Sequence, residues 1–387
     1  MNKLAQDMVV NILLRLPVKS LMRFKCVIKT YYSLIQSSSF INLQLNRVTT
    51  DKDELVLFKR SFEEDIHRHK TILSFLSSSD VDSSLNPISP DLDVPRMTNA
   101  YSNNFDQLIG PCKGLIALMN HLVTVLINPS TRNYRLLPSS PFDSPPGFYR
   151  SIESVGFGFD SIANDYKVIR ILEVYWIDHG YPLGGEKKVE IYDLGIDSWR
   201  ELDHVDQQFP QLHWLPCSQM FYKGACHWIA IPLVDPMVIL SFDLSTEIFR
   251  TIKMPDNCCF SDGPCYSLVL SNDSLTLICY PDPAQVVDPT KDLIDIWIMK
   301  DYGVHESWIK KNTIIRLRIV SPLAVWRESL LLCERKNGIL MFYNLCSNEV
   351  KDFNLHGSPK SLRAMVYKET LTPIPKGNEK STEVQKF

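Results

Sequence analysis

The stretch "DLSTEIFR", Asp243–Arg250, recurs in altered form along the chain and decides the fold class. The other copies are "NPSTRNYR" (Asn128–Arg135), "DLGIDSWR" (Asp193–Arg200) and "NLCSNEVK" (Asn344–Lys351). Each copy begins with Asn or Asp, has an apolar or aromatic residue six positions later, and has a basic residue after that. Asn and Asp turn the backbone through their own side-chain hydrogen bonds. Each copy therefore predicts a β-hairpin whose return strand starts near the apolar residue.

The spacing of the copies predicts a repetitive β domain. Successive copies start 65, 50 and 101 residues apart, and the last interval has room for a divergent copy, "IDIWIMKDYGVHESWIKK" (Ile294–Lys311), with a longer turn. A strand pair precedes each hairpin, as in "VGFGFDSIANDYKVIRIL" (Val155–Leu172), so one unit supplies about four strands. Units of about fifty residues with four strands are typical of kelch-type propeller blades.

Two further segments complete the predicted ring. "ELVLFKR" (Glu54–Arg60) with "KTILSFL" (Lys70–Leu76) adds a blade, which gives about six, and "SLRAMVYKETL" (Ser361–Leu371) is expected to complete that first blade. A β-sandwich or an irregular β-solenoid is the alternative architecture. Most tryptophans are expected in the blade cores, namely Trp199, Trp214, Trp228, Trp297, Trp308 and Trp326.

Residues 1–50 follow a helical pattern instead. Apolar residues at helical spacing predict a first helix that ends at Pro17, a second that continues to Ile28, and a third that stops at "SSS", Ser37–Ser39. Three short helices cannot bury this many apolar side chains among themselves. The excess surface therefore packs on the rest of the chain or docks on a partner.

The charge is divided unevenly. Residues 1–50 carry seven Lys or Arg and one Asp, a net charge of +6, and the total of −3 leaves −9 for the remainder. Such asymmetry suggests different partners for the two parts. Because the large part is acidic, a nucleic-acid partner is not expected.

The helical segment resembles an F-box. Matching positions are Leu4, Asp7, Ile12, Leu13, Leu16, Pro17, Ser20, Leu21, Arg23, Phe24 and Val27, whereas Ala5, Ile28 and Tyr31 depart from the pattern. The resemblance implies docking to a Skp-type adaptor, and through it to the cullin and RING subunits of a ubiquitin ligase. The residues expected to bind the adaptor are Leu4, Met8, Ile12, Leu13, Leu16, Pro17, Val18, Leu21, Phe24, Val27 and Tyr31.

The remainder resembles the F-box-associated domain of plant F-box proteins, in "GPCKGLIAL", "NPSTRNYRLLP", "DSWREL" and "SPLAVW". Within these proteins the S-locus F-box group is similar, in "FINLQLNR", "SWRELDHVDQQFPQLHWLPCSQMFYKG" and "YGVHESWIKK". This likeness implies a pollen protein that recognises pistil S-ribonucleases and directs their ubiquitination during self-incompatibility. The expected location is the cytoplasm of pollen and pollen tube, with the nucleus as a further site. A receptor for an unrelated plant protein is the alternative.

The expected domains are an F-box at 1–48, a β-propeller-like F-box-associated domain at 49–375, and a polar, frayed tail at 376–387. No run of 18 apolar residues predicts a membrane span, and the ten cysteines are expected to be free thiols.

The sequence shows no signature of catalysis. G-x-S-x-G, H-E-x-x-H and P-loop motifs are absent, so no catalytic residue and no cofactor are expected. Cys258, Cys259 and Cys265 lack the spacing of a zinc site, and His67 and His69 are expected in a solvated turn. A kelch-like metal oxidase would need a Tyr, His and Cys set on the propeller axis, which the sequence does not display.

Acidic residues in predicted turns are candidates for meeting a basic substrate, because the loops at one end of a propeller usually form its binding surface. The candidates are Glu63, Glu64, Asp65, Asp91 and Asp93.

Overall fold

The computed structural model describes residues 6–47, 54–65, 68–78, 85–94, 107–119, 123–142, 147–178, 181–203, 212–214, 219–232, 236–256, 258, 264–282, 293–377 and 384–386. Within these ranges the chain forms four short helices followed by six antiparallel sheets. This arrangement confirms the predicted mainly β fold with a small helical module and a propeller of six blades. None of the helices in these ranges is long and apolar enough to cross a bilayer.

The helical module consists of α1 (Gln6–Leu14), α2 (Val18–Phe24), α3 (Lys29–Gln36) and α4 (Ser38–Leu45). The prediction of three helices is wrong, because Ser37 ends α3 and also caps α4. Its Oγ accepts a hydrogen bond from the backbone N–H of Phe40 at 3.3 Å, as N-cap serines do.

The second helix is shorter than the sequence predicts. The backbone N–H of Val27 donates to the carbonyl of Phe24 at 3.1 Å, which closes a tight turn after α2 rather than another helical turn. Val27 and Ile28 therefore lie in the connection to α3, and both are exposed.

The six sheets are the blades, and apart from β26 and β27 each blade consists of strands that are consecutive in the chain. Blade 1 contains β1 (Glu54–Asp65), β2 (Arg68–Ser78), β3 (Leu85–Pro87), β4 (Leu92–Asp93) and β26 (Arg363–Lys368). Blade 2 contains β5 (Gln107–Cys112), β6 (Leu115–Met119), β7 (Thr124–Asn128), β8 (Asn133–Leu136) and β27 (Gln385–Lys386). Blade 3 contains β9 (Phe148–Asp160), β10 (Asp165–Asp178), β11 (Tyr181–Asp193) and β12 (Ser198–Glu201).

The second half of the ring has the same plan. Blade 4 contains β13 (Leu212–Trp214), β14 (Gln219–Tyr222), β15 (Ala225–Pro232), β16 (Val238–Asp243) and β17 (Ile248–Lys253). Blade 5 contains β18 (Pro264–Ser271), β19 (Ser274–Pro281), β20 (Leu293–Met299) and β21 (Trp308–Ile315), with a short 3-10 helix at His305–Ser307 before β21. Blade 6 contains β22 (Ser321–Trp326), β23 (Leu330–Arg335), β24 (Ile339–Asn344) and β25 (Val350–His356).

The ring closes through the segment predicted for that purpose. β26 pairs antiparallel with β1, so that Lys368 lies opposite Glu54 and Arg363 opposite Lys59. The innermost strands β26, β5, β9, β14, β18 and β22 each contact the next around the axis. The expectation of a frayed end is wrong for Gln385 and Lys386, because they pair with β8 and add a fifth strand to blade 2.

The sequence repeat is the turn between the third and fourth strands of a blade. The side-chain oxygen of Asp243 accepts backbone N–H bonds from Ser245 and Thr246 at 2.9 and 2.8 Å, and Asn128 and Asn344 act in the same way. Four positions after the Asn or Asp, the backbone φ is 57–58° in every copy, at Arg132, Asp197, Glu247 and Asn348. The predicted turn mechanism is thus present in the fold.

In two of the four copies, the basic residue of the repeat joins neighbouring blades. Arg135 of blade 2 pairs with Asp197 in the turn of blade 3. Arg200 of blade 3 makes a two-pronged pair with Glu247 in the turn of blade 4, in which Nη1 lies 2.9 Å from Oε2. At this repeat position, an Arg on the fourth strand of one blade therefore forms an ion pair with an acidic residue in the turn of the next blade.

Indole N–H groups make a second set of connections between blades. Trp199 donates to the carbonyl of Pro138 at 2.9 Å, and Trp308 donates to that of Lys253 at 3.0 Å. Trp199, Trp228, Trp308 and Trp326 are buried as predicted. Trp297 is half-buried, and the side chain of Trp214 lies outside the described residues.

The helical module rests on the segment that follows β26. The backbone N–H of Leu371 donates to Oε1 of Gln44 at 3.0 Å, and Leu371 is buried in the hydrophobic core of the helices. Nζ of Lys368 donates to the carbonyls of Leu45 and Arg47 at 3.3 and 2.8 Å. The module is therefore held against the propeller by side-chain packing as well as by the chain connection.

Candidate functional site

The helical module exposes a set of large apolar side chains. Met8 and Ile12, four residues apart on α1, are 53% and 52% exposed. Phe24 at the end of α2 is partly exposed, and Val27 in the next turn is 63% exposed. Residues four apart lie on one face of a helix, and such apolar surface is unusual on a small helical module. These four residues belong to the predicted adaptor-binding set.

Other members of that set lie elsewhere. Leu13, Val18 and Leu21 are buried in the core of the module, which favours a packing role for them. Leu16 and Tyr31 are half-buried, and Pro17 is exposed between α1 and α2. Leu4 lies outside the described residues. The structure therefore separates the predicted set into an exposed surface and the core that supports it.

Three exposed apolar residues of the module were missing from the prediction, and one of them, Leu43 on α4, is 52% exposed. Ile28 and Tyr32 are 48% and 50% exposed and extend the surface formed by Phe24 and Val27. The ring of Phe24 also lies edge-on to Tyr31, with the centroids 6.1 Å apart. The apolar run at the end of α2 contained the signal, but a continuous helix was assumed there.

The helical module also exposes basic side chains. Arg15, Lys19, Arg23 and Lys29 are all exposed, and Asp7 is the single acidic residue in the described part of the module. An anionic partner would therefore be attracted over a distance of about 8 Å at physiological salt.

The two faces of the propeller differ in their connections. Because strands alternate in direction, the turns between first and second strands and between third and fourth strands lie on one face, here called the helix-side face. Lys368 and Leu371, which hold the helical module, follow the inner strand of blade 1 at this face. The remaining connections, including that between β1 and β2, lie on the face opposite. The helical module and the connection between β1 and β2 therefore lie at opposite faces of the propeller.

The predicted acidic residues all belong to blade 1, and two of them are already neutralised. Asp91 lies 2.8 Å from the guanidinium of Arg60, and Asp93 lies 3.0 Å from the ammonium of Lys70. Glu63 is exposed near the end of β1, towards the opposite face. The side chains of Glu64 and Asp65 lie outside the described residues. Asp91 and Asp93 are exposed as well, so Glu63 differs from them in that it forms no ion pair within the part of the chain that the structure describes.

A cavity of about 700 Å³ opens along the propeller axis. It is lined by inner strands, with apolar residues such as Leu108 and Met220 beside the charged residues Arg327 and Arg363. Within the ranges given above, no three His, Cys, Asp or Glu side chains lie close enough together to hold a metal ion.

Burial favours the uncharged form of several ionisable groups in the blades. Burial raises the pKa of the Cys112 thiol to about 12, although the nearby Lys113 lowers it slightly. Burial also lowers the pKa of His227 to about 4 against the effect of backbone hydrogen bonds. Cys258 is buried and Cys265 half-buried, whereas Cys259, His67 and the side chain of His69 lie outside the described residues. Thiols with raised pKa values are poor nucleophiles.

A carboxylate at the junction of blades 3 and 4 behaves differently. Burial alone would raise the pKa of Asp160, but hydrogen bonds from Lys167, Ser245 and the backbone N–H groups of Ala163 and Ile162 outweigh it and lower the pKa to about 2. Asp160 therefore stays charged and ties the two blades together.

Relatives with the same organisation occur among plant proteins. The F-box protein CPR1 of Arabidopsis thaliana is 27% identical over 409 residues, which cover 100% of this chain and 92% of that protein. The F-box/kelch-repeat protein At3g23880 of the same plant is 26% identical, over 96% of this chain and 95% of its own length. The model of the F-box associated beta propeller domain matches residues 60–372, which include all the blade strands except the first residues of β1 and the two residues of β27. The chain therefore belongs to the plant F-box proteins that carry an F-box associated beta-propeller domain.

Proposed function

We propose that this chain is the substrate-recognition subunit of an SCF-type (Skp–cullin–F-box) ubiquitin ligase. The exposed apolar residues Met8, Ile12, Phe24 and Val27 bind a Skp-type adaptor, and the propeller holds a protein substrate. The observation that carries the proposal is that the propeller leaves these apolar side chains exposed, on a helical module that also exposes basic residues. An adaptor would bury it and gain the free energy of apolar transfer.

In this proposal the subunit catalyses no reaction and acts by positioning. Gln44 and Lys368 fix the helices to the propeller, so a substrate on the propeller stays at a limited distance from the ubiquitin-charged enzyme. Such confinement raises the effective concentration of the substrate, which accelerates transfer without any catalytic group on the receptor.

The finer proposal concerns the substrate. We infer that it is a pistil S-ribonuclease and that the subunit acts in pollen during self-incompatibility, in the cytoplasm of the pollen tube and also in the nucleus. Two observations support this inference, namely the sequence likeness to the S-locus group and the net charge of −9 in residues 51–387. A ribonuclease binds an anionic polymer, so it is expected to offer a basic surface.

The adaptor proposal is tested with Met8→Ser combined with Ile12→Ser. Both side chains are about half exposed, so the double variant should keep its melting temperature. Each anchor contributes on the order of 2 kcal/mol to such interfaces, so the loss of both should lower the affinity for a Skp-type adaptor roughly a thousandfold.

The matched control for this experiment is Leu13→Ser, which changes a buried residue of the same helix. It should lower the melting temperature of the module as well as adaptor binding. Full adaptor affinity in the folded Met8 and Ile12 double variant, measured by titration calorimetry, would refute the assigned surface.

A further inference from the structure

The longest strands of the propeller form a ribbon in blade 3. β9, β10 and β11 have 13, 14 and 13 residues, whereas the second strands β15 and β19 of the next two blades have 8 each. Second strands start from short turns on the helix-side face. The extra length of β10 therefore extends past the opposite face by roughly 20 Å, at about 3.3 Å per residue. This end of blade 3 projects away from the helices.

Four aromatic residues lie on the projecting ribbon. Phe148 is opposite Trp176, with ring centroids 5.7 Å apart, and Tyr149 is opposite Tyr175, with centroids 6.1 Å apart. Adjacent residues of a strand point to opposite faces, so each face of the ribbon carries one aromatic pair. Trp176 and Tyr149 are 43% and 52% exposed, and none of these four described residues packs in a hydrophobic core of the blades. Their exposed rings are available to a partner.

The charges around the ribbon favour a basic partner. Lys187 pairs with Glu173 at 3.4 Å and Lys188 pairs with Glu201 at 2.8 Å, whereas Glu186 is exposed. Arg150, next to Tyr149, pairs with Glu190, so these three basic residues are paired with glutamates of the same blade, and the propeller part of the chain is acidic. The face of an aromatic ring attracts Lys and Arg side chains. Exposed rings on an acidic domain are therefore complementary to a basic protein surface.

We propose that the aromatic ribbon, defined as Phe148, Tyr149, Tyr175 and Trp176, is the main anchor for a folded protein substrate whose surface is rich in Lys and Arg. This inference rests on the proposed function, because it identifies the part of the receptor that holds the substrate. Tyr, Trp and Arg are the residues that most often dominate the binding energy of protein interfaces. Blade 3 then supplies the affinity, and the acidic character of the domain supplies the speed of encounter.

Blade 1 supports the same location. β1 and β2 have 12 and 11 residues, so this hairpin also projects on the face opposite the helices. Exposed Glu63 lies near its end. Blades 1 and 3 lie on either side of blade 2, whose strands β6 and β7 have 5 residues each. Two long hairpins therefore flank a blade whose described strands are short.

The test combines Trp176→Ser with Tyr149→Ser in the full chain bound to its adaptor. The control combines Ile162→Ser with Ile196→Ser, because these residues are 79% and 65% exposed in turns on the helix-side face of the same blade. The probe is a purified pistil S-ribonuclease, unmodified or with its lysines acetylated, and binding is followed by interferometry. The ribbon variant should bind the unmodified probe about a hundredfold more weakly, about tenfold for each anchor. The control variant should bind like the wild type, and acetylation should weaken wild-type binding.

Several results would overturn the inference. These are an unchanged affinity in the ribbon variant, equal binding of the acetylated ribonuclease, and a wild-type chain that binds no ribonuclease. A concentration-dependent dimer of the wild type that the ribbon variant loses would assign the ribbon to self-association instead. Failure of the proposed function has a different readout, because a chain that binds the ribonuclease through the ribbon but no adaptor would keep the inference and refute the ligase role.

Discussion

Replacing Trp199 with Ala should destabilise the propeller by about 4 kcal/mol, the middle of the range for a buried Trp. The indole is 6% exposed and packs at 5.1 Å from the ring of Tyr192. Its N–H donates to the carbonyl of Pro138 in the neighbouring blade, and the guanidinium of Arg170 lies 4.2 Å from its ring centre. The substitution therefore removes packing, one hydrogen bond between blades, and the aromatic surface against a buried cation.

The separate contributions are tested by a second variant. Trp199→Phe keeps most of the ring but loses the N–H, and leaving the Pro138 carbonyl unpaired should cost about 1–2 kcal/mol. Trp176→Ala is the matched control, because it makes the same change in the same blade at a side chain that is 43% exposed. It should change the free energy of unfolding by less than about 0.5 kcal/mol.

The assay is urea unfolding followed by tryptophan fluorescence and circular dichroism. The midpoint for Trp199→Ala should fall well below that of Trp176→Ala, with Trp199→Phe between them. A loss below about 1 kcal/mol for Trp199→Ala, or an equal loss for both alanine variants, would contradict the assignment of this repeat position to the junction between blades.

Two further predictions concern the junction of blades 3 and 4. Because the pKa of Asp160 is lowered to about 2 in the folded state, its contribution of roughly 2 kcal/mol is present above pH 4 and is lost as the pH falls from about 4 to 2. Asp160→Asn should remove this part of the acid dependence in unfolding titrations, and an unchanged pH profile would contradict it. At Gly158 a Cβ would lie 2.3 Å from the ring of Phe221, so Gly158→Ala should lower the melting temperature. The comparison is Gly224→Ala, where a Cβ would meet no atom within 4 Å and the cost comes only from the backbone φ of +81°. Gly224→Ala should therefore lower the melting temperature less.

The propeller could be predicted because the hydrogen bonds that form its repeated turn join residues that are close in the sequence. In three of the four copies, the Asn or Asp of the repeat accepts bonds from backbone N–H groups two or three residues away, as Asn344 does from Cys346 and Ser347. A periodic turn therefore shows in the sequence without knowledge of distant contacts. The same reasoning assigned the closing strand, because one blade lacked a strand that only the end of the chain supplied.

The errors have equally local causes. Three serines in a row are compatible both with the end of one helix and with the N-cap of the next. The pattern at Ser37 therefore did not reveal α4. The docking of the helices depends on Gln44 and Leu371, which are 327 residues apart. A polar residue near a helix end carries no sign of such a distant partner.

The candidate substrate site shows the same limit. The acidic residues Asp91 and Asp93 were conspicuous in the sequence, yet their charges are compensated by Arg60 and Lys70. The exposure of Trp176 depends on how far β10 extends beyond the neighbouring blades. The alternation of residues along a strand does not show which end of the strand other blades cover.

Closing the ring with β26 has a consequence for synthesis. Blade 1 lacks its inner strand until Arg363–Lys368 have left the ribosome, and the helices lack Leu371 and the carboxylate of Glu369, which accepts the backbone N–H of Val18. At roughly 5–20 residues per second, the module waits tens of seconds after its own translation before it docks. A truncated chain that stops before blade 6 would carry helices without a fixed orientation. Only a chain that includes β26 and Leu371 would therefore hold the helices in a fixed position relative to the propeller.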